Sequence, residues 1–246
     1  MAHLIASYRM TAAGYDANNT RLLDESGNGN HLPLLAGVPD FTGTYSGKTG
    51  FKMHGTAYFG GANLLHPECW TAISVLHPKV LAGESLNYLW ASGRAYANAD
   101  PGHQAPLAPY EGDVTFVSPT TAQFIAHRAR IHDTGGVTGC DTGGSVAHTT
   151  GFVSDAWNVV SDVWNGETSQ VKKRFGAAAW GSAAITQHYQ VGMLEELRIG
   201  YRPAGLTVAA NHLGALRVEI YAGDYSVDDP AGYAARVAAL VATPDL

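Results

Sequence analysis

Charge is what this sequence has least of. Lys, Arg, Asp and Glu make up only 15% of its 246 residues, against the ~25% usual for soluble domains. The charges sum to −6 and include no basic run, which argues against a groove for a nucleic-acid backbone. Long apolar stretches are missing too: no segment reaches the ~18 apolar residues of a membrane helix. The N-terminal MAHLIASYRMTAAGYD has no cationic start leading into a long apolar core. It is therefore not read as a secretory signal, and the expected site of synthesis is the cytoplasm. Cysteine is scarce. Cys69 and Cys140 make neither a disulfide framework nor a zinc spacing. They are read as free thiols of a protein made in a reducing cytosol, with a Cys69–Cys140 pairing left open.

What is abundant is glycine, 29 residues of it, between many short apolar runs. Strand candidates come at intervals of roughly 8–15 residues, with Gly, Asn and Asp between them, the pattern of a sandwich or barrel. They are 4–10, two short strands around Gly55 within 50–61, 70–78, 87–93, 113–118, 122–132, 145–153, 156–164, 169–177 and 189–201. In 70–78, alternation sets Trp70, Ala72, Ser74 and Leu76 on one side. No βαβ rhythm appears, so a parallel sheet is not expected. Helix signals gather late. Pro203 to Leu216 reads as one helix, and a second opens with Asp229 as N-cap and Pro230 in its first turn. On that second helix Tyr233, Val237 and Val241 share a face, to dock on the sandwich or on another subunit.

The stretch DESGNGNHLPLL, 24–35, resembles a calcium loop at its start, with Asp24, Ser26, Asn28 and Gly29 at positions 1, 3, 5 and 6. Position 12 of an EF-hand is a bidentate glutamate, and here it is Leu35. Pro33 also rules out a helix interior in the flank. The stretch is read as a turn, with Gly27, Asn28 and Gly29 supplying positive φ before a strand resumes.

Four separated pieces then line up in order. DESGNGNHLPLLAG (24–37) resembles the early turn and strand of LamG-like, concanavalin A-like jelly-roll domains. GFKMHGTAYFGG followed by CWTAISVLHP resembles their hairpin and next strand, AWNVVSDVWNG (156–166) a later strand, and MLEELRIGYRPAGLTVAANHL the closing strand and short helix. The resemblance covers residues 1 to about 220. It implies an all-β, antiparallel β-sandwich of the jelly-roll type over 1–220, with 221–246 as a C-terminal helical extension. It implies no single activity, because the family holds lectins, adhesion modules, glycoside hydrolases, polysaccharide lyases and structural parts.

The chemistry is therefore argued from residues. A retaining glycosidase on this fold carries E-x-D-x-x-E, with its carboxylates on one strand face ~5 Å apart; the string does not occur. Glu195 and Glu196 are adjacent, so a strand points them to opposite faces, and the resemblance gives this position a structural role. There is no G-x-S-x-G elbow. AHRARIH sets Arg128, Arg130 and His132 on one face, with His127 opposite, and these are read as solvent-facing strand residues alternating with inward-pointing Ala129 and Ile131 rather than as a lyase site. No catalytic residue is assigned.

Binding fits better. Sugars offer C–H faces to aromatic rings and hydroxyls to Asp, Asn and Arg. The long non-periodic segment 93–113 and its flanks supply Trp90, Arg94, Tyr96, Asp100, His103 and Tyr110, and Trp164 stands at a strand end. Trp90 is read either as core or as a sugar-facing ring, while Trp70 and Trp157 are assigned to the core. The glycine-rich segment 132–148 offers Asp133 and Asp141 as weak Ca²⁺ candidates. The expectation is a lectin-like module binding a cell-surface glycan or capsular polysaccharide, with no nucleic acid and no membrane insertion. It is placed on a virion fibre or spike, beside other virion subunits or further copies of itself. A structural decoration protein and a polysaccharide-cleaving enzyme are the alternatives.

Overall fold

The computed structural model describes residues 2–52, 57–65, 69–78, 87–92, 114–118, 124–128, 130–131, 140–141, 146–147, 150–153, 155–165, 167–168, 170–184, 195–200 and 213–245. At some strand positions, Trp90 and Trp164 among them, only the backbone is described. In chain order the strands begin β1 (His3–Arg9), β2 (Tyr15–Asp16), β3 (Arg21–Leu22), β4 (Leu32–Ala36), β5 (Gly43–Tyr45) and β6 (Lys48–Lys52). Then come β7 (Tyr58–Leu65), β8 (Cys69–Pro78), β9 (Asn87–Ser92), β10 (Val114–Ser118), β11 (Phe124–Arg128), β12 (Arg130–Ile131) and β13 (Cys140–Asp141). The last are β14 (Val146–Ala147), β15 (Asn158–Asn165), β16 (Gln170–Phe175), β17 (Gly181–Ala184), β18 (Glu195–Ile199) and β19 (Leu213–Ala222). Two helices close the chain, α1 (Tyr225–Asp228) and α2 (Pro230–Ala242).

All pairings are antiparallel, and they build two large sheets. One runs β17-β16-β15-β8-β19-β6-β5, with β1 also on β19. The other runs β14-β11-β10-β9-β18-β7-β4-β3-β2. The two pack face to face: Tyr8, Phe51, Trp70, Ala72, Val160, Phe175 and Val218 from the first meet Leu22, Leu32, Phe59, Leu197 and Ile199 from the second in one buried core. The protein is thus an all-β antiparallel sandwich with two short C-terminal helices.

The first sheet is buried on both faces at its centre. Trp70, Ala72 and Leu76 of β8 point into the sandwich, as alternation predicts, while Ile73 and Val75 point outward into a second apolar cluster. The partners there are Val159, Leu216 and Tyr221 from the sheet and Tyr233, Val237 and Leu240 from α2. So α2 lies on the sandwich of its own chain. Its start is as predicted: Asp229 accepts a hydrogen bond from the Gly232 N–H, and Pro230 follows. Its apolar face is not. Leu240, seven residues after Tyr233, completes the buried face, and Val241 is 55% exposed; a period of 3.6 drifts past four-residue steps.

Other expectations are also corrected. The predicted helix 203–216 is strand from Leu213 onward, and 203–212 lie outside the described residues. β19 runs past residue 220 to Ala222 and pairs with β8, β6 and β1, so it is a central strand that follows the expected closing strand, β18. Nor is 122–132 one strand. β11 ends at Arg128, and Arg130–Ile131 pair instead with Cys140–Asp141 in a separate ribbon, so one strand does not carry Arg128 and Arg130 on a common face. Within 145–153 only Val146–Ala147 is strand among the described residues.

The turn after Asp24 is structural. The Asp24 carboxylate accepts the backbone N–H groups of Ser7, Ser26 and Asn30 at 2.9 Å each, and the Ser26 hydroxyl at 2.8 Å. The side-chain amides of Asn28 and Asn30 donate to the carbonyl of Ile5. Gly27 and Gly29 take φ of 87° and 77°, which close this loop without a Cβ clash. The loop therefore spends its oxygens stapling itself to β1.

Candidate functional site

Two β-bulges shape a pocket on the outer face of the first sheet. Pairing between β19 and β8 shifts between Ala215 and Arg217. A bulge inserts one extra residue and re-aims the side chains beyond it. Ala215 faces the sandwich core, Leu216 and Arg217 both face out, and alternation then carries Glu219 and Tyr221 outward while Val218 and Ile220 point in. On β1 the register shifts between Leu4 and Ala6, so Leu4 reaches the outer face while Ile5, Ala6 and Tyr8 pack on the core.

The pocket, about 470 Å³, is lined by Leu4, Ser7, Arg217, Glu219, Tyr221 and Tyr225, with Ala2, Glu25, Asp229 and Arg236 completing it. That volume lies within the ~300–1,000 Å³ of small-ligand sites. Tyr225 comes from α1. The Thr71 hydroxyl fixes that turn, accepting the Tyr225 N–H at 3.0 Å and donating to the Gly223 carbonyl at 2.9 Å. Asp224 is held beside it by Lys172 Nζ at 2.5 Å and by the Ser226 hydroxyl at 2.6 Å. So placed, the Tyr225 ring stacks on Tyr221 at 4.3 Å and 22°, and the two rings form one aromatic wall.

The floor is ionic and largely self-satisfied. Glu219 is buried and takes a forked contact from Arg236, whose Nε lies 3.1 Å from Oε2 and whose Nη2 reaches Oε1. The Tyr221 hydroxyl donates to Oε2 at 2.8 Å. Arg217 donates from Nη1 to the Ser7 hydroxyl at 2.6 Å and from Nη2 to Glu25 at 3.0 Å; Glu25 also meets Arg9 Nε at 3.1 Å. Arg217 Nε is buried with no hydrogen-bond partner among the described residues. The Glu219 carboxylate raises the Arg236 pKa through its hydrogen bond, against burial. Burial, then Glu219, raises the Tyr221 pKa, and burial, then Asp229 and Glu219, raises that of Tyr225. Both phenols therefore stay neutral well above pH 7, and the arrangement is a fixed lattice of charges beside an aromatic wall. It can hold a polar ligand. The Ser7 hydroxyl, held by Arg217, also lies 3.5 Å from Glu219 Oε1.

A serine–histidine contact lies elsewhere. Ser46 Oγ is 2.8 Å from His77 Nε2, and Asp155 Oδ1 is 3.9 Å from that same nitrogen. In a hydrolytic triad the carboxylate orients the opposite ring nitrogen, so this is not triad geometry. Ser46 and Gly47, with φ of 43° and 79°, are the two central residues of the β5–β6 hairpin, whose register pairs Tyr45 with Lys48. That is the positive-φ pair a type I′ turn requires. His77 and Trp157 pack on Tyr45, and the Trp157 indole N–H donates to the Tyr45 carbonyl. The contact clamps a turn.

Arg94, Tyr96, Asp100, His103, Tyr110 and Asp133 lie outside the described residues. Trp90 is in β9 and Trp164 in β15, opposite Trp70; Asp141 is in β13; the side chains of these three are not described. Glu195 and Glu196 flank a register shift in β18, with their side chains outside the described residues. Trp70 is fully buried in the core, and Trp157 packs on the outer cluster. Cys69 is a free thiol, pushed up to about 12 by burial and then by Asp224. Among the described residues, no three His, Cys, Asp or Glu side chains gather as a metal set, and no helix is long and apolar enough to cross a membrane. Sequence reasoning missed the pocket because its residues are scattered over β1, β19 and the helices. The alternation of Arg217, Glu219 and Tyr221 with Val218 and Ile220 was the available signal.

No family model matches the chain, and no curated protein matches its sequence. Solved structures do match its fold. The receptor-binding domain of botulinum neurotoxin C/D mosaic serotype gives a TM-score of 0.61 at 11% identity, covering 97% of this chain and 51% of that one. The serotype D binding domain gives 0.60 at 12%, covering 97% and 52%. A structure of botulinum neurotoxin type C, whose cell entry depends on interaction with two ganglioside molecules, gives 0.60 at 10%, covering 96% and 51%. The chain thus spans about half the length of these domains, and the likeness is one of fold.

Proposed function

We propose that this protein is a glycan-binding, lectin-like module. The observation that carries the reading is the pocket on the outer face of the first sheet. A stacked Tyr221–Tyr225 wall offers an apolar surface to the C–H face of a sugar, and Glu25, Asp229 and Arg236 stand around it to meet hydroxyls. The ganglioside interaction of a fold neighbour agrees with a glycan ligand in the broad sense, without bearing on its charge. The neighbours are receptor-binding rather than catalytic domains, which agrees with a binding role.

The finer placement is also a proposal. A single open pocket gives weak affinity, and repeated copies convert weak sites into firm attachment through avidity. A phage fibre or spike adhering to a host surface polysaccharide supplies such repetition, and the LamG-like order of motifs suits it. Trp90, Arg94, Tyr96, Asp100, His103, Tyr110 and Trp164 are proposed as a second contact surface, with Asp133 and Asp141 as the place to look for Ca²⁺. The decoration-protein alternative gains nothing from α2, whose apolar face is already spent on its own sheet. Calorimetric titration with bacterial surface polysaccharides, in calcium and then in chelator, tests the reading. Saturable binding that Tyr225→Ala weakens at least ten-fold is expected. Absence of binding to any glycan in either metal state would overturn it.

A further inference from the structure

Resting on that reading, we infer that the pocket takes a neutral, hydroxyl-bearing sugar and discriminates against sugars that carry a carboxylate. The lining holds three carboxylates, Glu25, Glu219 and Asp229, against two guanidinium groups, Arg217 and Arg236. Most of the guanidinium donors are engaged. Arg236 forks onto Glu219 through Nε and Nη2, and Arg217 gives Nη1 to Ser7 and Nη2 to Glu25. The Tyr221 hydroxyl is also committed, as a donor to Glu219. Apart from Arg217 Nε, a carboxylated sugar would need to draw one of these donors from its present partner, and it would add a negative charge to a lining whose three carboxylates already outnumber its two guanidinium groups. Like-charge juxtaposition in a binding site costs several-fold to many-fold in affinity.

A hydroxyl meets the pocket differently. It donates one hydrogen bond and accepts others, whereas an ionised carboxylate only accepts. The acceptors with capacity to spare are at the rim, where Asp229 accepts only the Gly232 N–H through Oδ1 among the described contacts. The buried donor in want of an acceptor is Arg217 Nε, on a side chain that is 5% exposed. A sugar hydroxyl offers a donor to the rim carboxylate as well as an acceptor to a guanidinium, where an ionised carboxylate offers only the acceptor. The Tyr225 ring, on the same wall, takes the apolar face of the sugar. Selectivity here comes from what the site repels as much as from what it attracts.

The test pairs each bound polysaccharide with its C6-oxidised form, which replaces the primary alcohol by a carboxylate on an otherwise identical backbone. Titrations of the full chain are run with both forms, for the unaltered protein and for Asp229→Asn. Asparagine keeps the N-cap and removes the charge. The inference predicts at least ten-fold tighter binding of the neutral form, and a ratio that narrows in Asp229→Asn. Equal or tighter binding of the oxidised form would overturn the inference and leave glycan binding standing. An unchanged ratio in Asp229→Asn, with Tyr225→Ala also without effect, would overturn the assignment to this pocket. Binding of neither form of any polysaccharide would overturn both.

Discussion

The Tyr233 hydroxyl of α2 donates a 2.8 Å hydrogen bond to the Ser161 hydroxyl of β15. Neither group reaches solvent, and the bond pins the helix to the sheet at the point where its apolar face begins. Arg174 lies over the same Tyr233 ring and over Trp180. Burial pushes the Tyr233 phenol up to about 12, so the hydroxyl remains a donor throughout the physiological range. The helix therefore packs on the first sheet and helps to build the pocket with Arg236 and its N-cap, Asp229.

The first prediction concerns that docking. Leu240→Ala empties a fully buried site and should cost about 2–4 kcal/mol in urea unfolding. Val241→Ala, on the exposed side, should change stability by about 0.5 kcal/mol or less. The reverse order would place the other side of the helix against the sheet.

The turn at Asp24 gives a prediction in pH. Burial alone would raise the Asp24 pKa, but hydrogen bonds from Ser7, Ser26 and Asn30 outweigh it and lower the value. A carboxyl whose folded pKa is depressed contributes stability that is present above its unfolded value, ~3.9, and lost as pH falls through the folded value. Asp24→Asn should therefore be less stable than the unaltered protein at pH 7, by roughly 1–3 kcal/mol. The gap should close as pH falls below about 4. Melting curves from pH 7 to pH 2 read it directly, and a gap that widens in acid would contradict the assignment.

Inside the sandwich, Lys173 Nζ lies 2.6 Å from Asp162 Oδ1, with both side chains fully buried. Removing one partner takes this contact from a buried charge. Lys173→Met alone should cost about 3–5 kcal/mol, and adding Asp162→Leu should recover a good part of that. A double-mutant cycle in chemical denaturation measures the difference.

The sandwich was legible because its strands alternate, and the turn glycines and asparagines sit between them. Trp70, Ala72 and Leu76 could be assigned to one face from period two alone. The helix start was legible too, since Asp229–Pro230 is a local signal. β19 was not. Its first residues, Leu213 to Leu216, are rich in Leu and Ala and read as helix, and its charged residues, Arg217 and Glu219, look solvent-facing. In the structure they are buried beneath the C-terminal helices and compensated by Arg236, Ser7 and Glu25. Such compensation comes from residues up to 210 positions away, which no window along the chain can register. The bulges at Ile5 and Leu216 are equally invisible to a strict alternation, and they decide which residues face the pocket.

The most direct measurement is an NMR titration of the isotope-labelled protein with the neutral polysaccharide fragment that binds best. The account predicts saturable shifts at Ala2, Tyr225, Asp229 and Arg236, with loss of those shifts in Tyr225→Ala. Saturable shifts confined to residues 93–113, with none around Tyr225, would contradict it.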